Sequence, residues 1–173
     1  MSAPIAKPVL PLETFVRYAR ALGLSASVGE RNRLGRLPQV YADMQGWPEL
    51  AASVAGVYRA LPLAEQAHAC IFGQNYGQAG AIDLFGPALG LPKAISGHNS
   101  YFLWGPGSCT GAVMIVIGDT RDRLEERFER VELGATYRCA DCMPYEATKS
   151  IWVVRIPRSG PLQSFWPRLK RFI

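Results

Sequence analysis

The chain has 173 residues, of which 49% are hydrophobic and 19% charged; this suits a globular protein with a sizeable core and excludes a disordered or fibrous one. The formal charge of +5 is carried largely by Arg17, Arg20, Arg31, Arg33, Arg36 and the tail residues Arg168, Lys170 and Arg171. There is no zinc-finger spacing, RNP motif or helix-turn-helix pattern, so nucleic acid is not an expected partner.

No apolar run reaches the length of a transmembrane helix. The first residues, MSAPIAKPVLPLETF, lack the apolar centre of a signal peptide. Taken alone, these features predict a soluble chain that is not exported. In chain order, Ala3–Pro11 carries three prolines and reads as an extended arm. A helix is expected over Pro11–Leu22, with Phe15, Tyr18, Ala19 and Leu22 on one face, ended by Gly23. Ser25–Leu37 is rich in Ser, Gly, Arg and Asn and reads as a loop. A second helix is expected over Trp47–Ala60, with Pro48 in its first turn, where a missing N–H costs nothing. Its buried stripe is expected to be Val54, Val57, Tyr58 and Leu61. A helical turn follows at Leu63–Gln66.

The next elements alternate. His68–Phe72 reads as a strand, Gln78–Phe85 as a helix, and Lys93–Ser96 as a short strand. Gly111–Gly118 (GAVMIVIG) is apolar at every position between its glycines, which predicts a strand central in the sheet. Asp119-Thr120 is expected to cap a helix over Arg121–Arg130, with Leu124 and Phe128 inward. Strands are expected at Val131–Cys139 and Ser150–Ile156, and an amphipathic turn at Leu162–Phe172. The alternation predicts an α/β fold: a single-domain layered sandwich with a mixed, largely parallel, Rossmann-like sheet flanked by helices. Residues 1–36 would form an arm, a helix and a loop, and residues 37–173 the α/β domain.

Two strand ends stand out. The first runs into Gly73-Gln74-Asn75-Tyr76-Gly77 and the second into Ser96-Gly97-His98-Asn99-Ser100-Tyr101. Open α/β sheets bind ligands at such carboxyl ends, so both clusters are expected to converge on one concave face. The candidate ligand-binding residues are Gln74, Asn75, Tyr76, Asp83, His98, Asn99, Tyr101 and Trp104. The spacing Gly73-x-x-x-Gly77-x-x-Gly80 suits either an anion at a helix N-terminus or a tight crossover that needs small residues. His98 is a candidate acid or base, with Glu146 the second acid/base candidate. There is no GxSxG elbow. Tyr76, Phe85, Tyr101, Phe102 and Trp104 form either a sugar or prenyl platform or plain core.

Cys70 and Cys109 lie in or beside apolar runs and read as small core hydrophobes. Cys139-Ala140-Asp141-Cys142 is a CxxC placed too late, and followed by too little helix, for a thioredoxin-type site. Zinc would need further ligands, for which only His98 and Cys109 offer themselves. A local disulfide between Cys139 and Cys142 fits an oxidising compartment. No metal or cofactor is expected.

Five segments in this order carry a family resemblance: LPQVYADMQGW (Leu37–Trp47), FGQNYGQAGAIDLFG (Phe72–Gly86), AISGHNSYFLWG (Ala94–Gly105), CADCMPYE (Cys139–Glu146) and FWPRLKRF (Phe165–Phe172). Together they resemble the soluble C-terminal region of bacterial family 39 glycosyltransferase-like membrane proteins, distant kin of dolichyl-phosphate-mannose–protein mannosyltransferases and aminoarabinose transferases. In such proteins a multi-helix membrane core transfers the sugar, and nothing in this chain matches that core. The resemblance therefore implies an extracytoplasmic, periplasmic accessory domain that is not itself catalytic. It would bind a glycan acceptor or a polyprenyl-phosphate sugar and partner a membrane-embedded glycosyltransferase core. The basic turn with Trp166 and Arg168 would face a membrane surface. The alternatives are a small soluble hydrolase or transferase acting on a phosphorylated sugar, and a pure protein-interaction domain. Expressed alone, the chain would be cytoplasmic.

Overall fold

A computed structural model describes residues 9–23 and 37–172. The expected loop over Ser25–Leu37, apart from Leu37 itself, most of the arm over Ala3–Pro11, and Arg31, Arg33 and Arg36 lie outside the described residues. The chain divides into two units: Met1–Gly46 with Arg138–Thr148, and Trp47–Tyr137 with Lys149–Ile173. The CxxC segment groups with the N-terminal residues.

In the first unit, α1 (Leu12–Ala21) and α2 (Gln39–Ala42) both follow a proline. Helix α1 buries Phe15 and Val16, and Phe15 stacks on Tyr41 at 4.2 Å between ring centres. Leu37, Ala42 and Met143 complete this small core. Cys139 and Cys142 are bonded to each other, and the Cys139 N–H donates to the Ala147 carbonyl at 2.8 Å.

The second unit begins with α3 (Trp47–Ala60), which buries Leu50, Ala51, Val54, Ala55 and Val57. That spacing is one helical face; Tyr58, expected on it, is only half-buried. A short α4 (Leu63–Gln66) leads to β1 (Cys70–Gly73), α5 (Tyr76–Phe85), β2 (Ala94–Ile95), α6 (Ser100–Trp104) and β3 (Val113–Ile117). Then come α7 (Arg121–Glu125), β4 (Phe128–Arg138), β5 (Thr148–Pro157), α8 (Leu162–Phe165) and a 3-10 turn at Trp166–Leu169.

The result is a mixed α/β fold with a five-stranded mixed sheet in the order β2-β1-β3-β5-β4. Strand β1 pairs in parallel with β2 (Ile71↔Ala94) and with β3 (Ile71↔Ile115). Strand β3 pairs antiparallel with β5 (Ile115↔Val153). As its uninterrupted apolar run requires, β3 is the middle strand and buries Met114 to Ile117. Each such buried aliphatic side chain contributes about 1.5–3 kcal/mol of burial free energy.

Three expectations are corrected. Helix α7 stops at Glu125 rather than Arg130, because Phe128 and Val131 enter the core from a strand; tertiary burial outweighs the helix propensity of the charged run. Ser100 to Trp104 is helical, where the sequence reading placed no element. Cys70 and Cys109 are buried as expected but are joined in a disulfide spanning 39 residues.

Candidate functional site

The three parallel strands deliver polar residues to their carboxyl ends. Strand β1 runs into Gln74 and Asn75, the β2 segment into His98 and Asn99, and β3 into Gly118-Asp119. Asn75 is the N-cap of α5, its Oδ1 accepting from the Gln78 N–H at 2.8 Å. Gln78, fully buried, turns its Oε1 back to accept from the Gln74 N–H at 2.9 Å. The Gln74 amide donates to Asp119 Oδ2 at 3.2 Å. Asp119 adopts φ 71° and its carbonyl accepts from the Trp152 indole at 3.3 Å. The two clusters meet where the Tyr76 N–H donates to His98 Nδ1 at 3.3 Å, with the rings 5.2 Å apart.

Many polar groups of this edge are satisfied within the protein, while the Tyr76 ring is 53% exposed. Two of the first-turn donors of α5 that an anion would use, the Tyr76 and Gln78 N–H groups, go to His98 and Asn75. Two of the three glycines of the run, Gly73 and Gly77, are accounted for by packing. A Cβ on Gly73 would lie 2.8 Å from the Ala79 nitrogen, and one on Gly77 3.2 Å from the Trp47 ring. His98 is 5% exposed beneath the C-terminal segment. There the Arg171 N–H donates to the Gly97 carbonyl at 2.8 Å and the Asn99 N–H to the Arg171 carbonyl at 3.0 Å. A Cβ on Gly97 would stand 2.0 Å from the Leu169 carbonyl oxygen, so only glycine admits this cover. Burial, then the neighbouring Arg171, lowers the His98 pKa. The ring is therefore neutral at pH 7 with its proton on Nε2, which has no hydrogen-bond partner among the described residues. A general acid or base must reach its substrate, and this ring is shut in.

Glu146, the other acid/base candidate, is buried in the N-terminal unit. Beside it the Tyr145 hydroxyl donates to Asp43; burial first, then Asp43, raises the tyrosine's pKa.

Asp83, Tyr101 and Trp104 stand elsewhere. They line a cleft of about 820 Å³ whose wall includes the amino ends of the same three strands (Cys70, Ala94, Val113) and the loop Gly105–Thr110. That volume is within the range of small-ligand sites. Asp83 reaches it from α5, its Oδ1 accepting from the Ala94 N–H at 2.8 Å and its Oδ2 from the Tyr101 hydroxyl at 2.9 Å. Burial, then Asp83, raises the Tyr101 pKa, so the phenol stays a donor. Trp104 packs edge-on against Tyr101 at 4.7 Å and is 69% exposed.

Lys93 and His68 are exposed on the cleft wall, and Lys93 has no ion-pair partner among the described residues. Glu65 is tied to Arg155 by two contacts of 2.8 Å, which hold its carboxyl below the usual range. The Cys70–Cys109 bond fastens the loop to β1.

The eight predicted ligand residues therefore fall into two groups. Gln74, Asn75, Tyr76, His98 and Asn99 share the carboxyl edge, where only His98 is buried, while Asp83, Tyr101 and Trp104 share the open cleft. Lys93 and the Cys70–Cys109 bond escaped sequence reasoning, and Asp119 was read there only as part of a helix cap. A Gly-Asp pair after the clearest strand was the available signal for Asp119. Among the described residues no group of His, Cys, Asp and Glu is arranged to hold a metal ion, and no helix is long and apolar enough to cross a membrane. No family model matches the chain, and no curated protein or solved structure proved similar to it.

Proposed function

We propose that this chain is a recognition domain of a glycosyltransferase system, of the kind its family 39-like segments resemble, and that it holds a sugar without transforming it. The sugar, of a glycan acceptor or a polyprenyl-phosphate donor, would occupy the cleft beside Trp104. The observation that carries this reading is the exposed Trp104 ring set against Tyr101 and the anchored Asp83 carboxylate. An aromatic face packs on the C–H face of a pyranose, and a carboxylate accepts from its hydroxyls. Two further points support it. His98 and Glu146 are both buried, which speaks for binding rather than catalysis. All four cysteines are paired, as in chains that live in an oxidising compartment, in keeping with an extracytoplasmic, periplasmic location beside a membrane-embedded core. In fold terms we read the β2-β1-β3 half of the sheet with α5 as a Rossmann-like element whose ligand has moved to the amino ends of the strands.

The test is calorimetric titration with mannose, other free hexoses and glycosyl phosphates, run on the wild type and on Trp104→Ala. Saturable binding that Trp104→Ala weakens at least about tenfold supports the reading. No binding of any sugar, or binding indifferent to Trp104, removes it.

A further inference from the structure

The C-terminal segment offers a second surface that the sugar reading does not use. Its anchor is Phe102 of α6. One face of Phe102 lies parallel to the Trp166 ring at 5.8 Å, and Phe172 meets it edge-on at 6.1 Å. Trp166 is not available to a partner, contrary to expectation: it is buried, and its indole donates to the Phe102 carbonyl at 3.2 Å. Phe172 instead is 51% exposed, and Leu103, which follows Phe102 on α6, is 72% exposed. Lys170 places its ammonium 4.9 Å from the Phe172 ring and 5.9 Å from the Phe102 ring. Arg168, Lys170 and Arg171 are all exposed, and none has an acidic partner among the described residues.

We propose that this face, built from Phe172 and the cations Arg168, Lys170 and Arg171 of the same short segment, docks on an anionic lipid surface. Charge and side-chain chemistry both favour lipid here. The apolar centres of protein interfaces are depleted of lysine, whereas here an ammonium rests on the exposed ring itself. A lipid surface accepts both at once, apolar side chains below the headgroups and cations among them. Unneutralised lysines and arginines beside such a patch draw it to acidic headgroups. The inference stands on these residues alone and is independent of what the cleft binds.

Vesicle co-sedimentation of the full chain tests it without any sugar present. Vesicles of phosphatidylcholine alone are compared with vesicles containing phosphatidylglycerol, at low and high salt. We expect retention only on the anionic vesicles, weakened by salt. Arg168→Glu with Lys170→Glu should lower partition at least about tenfold, and Phe172→Ser should lower it even at low salt. Near-ultraviolet circular dichroism checks that these variants keep their fold. Arg17→Glu with Arg20→Glu, a charge change of the same size on α1, should leave retention unchanged. Equal retention on both vesicle types overturns the proposal. So does loss of retention in the α1 variant with retention kept in the tail variants, as does a face that leaves lipid alone and only captures protein.

Discussion

The two ends of the parallel strands make opposite use of polar residues. At the carboxyl ends, Gln74, Asn75, Gln78, His98 and Asp119 are hydrogen-bonded within the protein, and a glycine-fitted tail covers the histidine. At the amino ends, Asp83 and Tyr101 are paired, while Trp104, Lys93 and His68 remain exposed around an open cleft. A cluster of Gly, amide and His residues therefore need not mark a ligand site. Such side chains also close the crossover from strand to helix, where backbone N–H groups need partners.

The comparison can be broken first at the bond that fixes the cleft wall. The Cys70–Cys109 bond spans 39 residues and Cys139–Cys142 spans 3. By loop entropy the first is worth about 4 kcal/mol and the second about 2 kcal/mol. Cys70→Ser with Cys109→Ser should thus lower denaturation midpoints about twice as far as Cys139→Ser with Cys142→Ser, and should also weaken ligand binding in the cleft. Equal losses would mean that the longer loop is already ordered in the unfolded chain.

The carboxyl edge should fail at Gly97. Its added methyl meets the Leu169 carbonyl oxygen, a backbone atom that cannot swing aside. Gly97→Ala should cost about 1–3 kcal/mol and speed hydrogen exchange at Asn99 and Arg171. Unchanged exchange there would show that the tail does not depend on that fit.

A smaller effect should follow pH. The folded-state pKa of His98 is depressed by burial and by Arg171, so the unfolded chain binds the proton more readily. The stability tied to the neutral ring is present above about pH 6.5 and lost as pH falls through the folded value. Protonation would also set an Nδ1–H against the Tyr76 N–H. Thermal melts should therefore show stability declining below about pH 6.5, with less decline in His98→Gln. An identical decline in that variant assigns the effect to other groups.

Much of the second unit was legible in sequence because short-range physics sets it. The unbroken apolar run Ala112 to Ile117 had to be a central strand, and Pro48 in the first turn of α3 marks a start that the structure shares. The strand ends at Gln74 and His98 were legible for the same reason. Long-range pairing was not. The Cys70–Cys109 bond, and the Asp83–Tyr101 hydrogen bond between α5 and α6, join residues that no local pattern connects. The five-residue helix Ser100–Trp104 is too short to show a helical period. It is nevertheless the element that turns Tyr101 toward Asp83 and separates it from His98. One polar run in sequence became two sites for that reason.

The central claim is that the open amino-end cleft, not the polar carboxyl edge, is where ligand binds. Amide chemical-shift mapping during titration with a glycosyl phosphate tests it directly. We predict that shifts cluster at Asp83, Lys93, Tyr101, Trp104 and Ser108, with Gln74, Asn75 and Tyr76 unmoved. Shifts centred on Gln74, Tyr76 and Asn99 instead, with the cleft silent, would contradict the account.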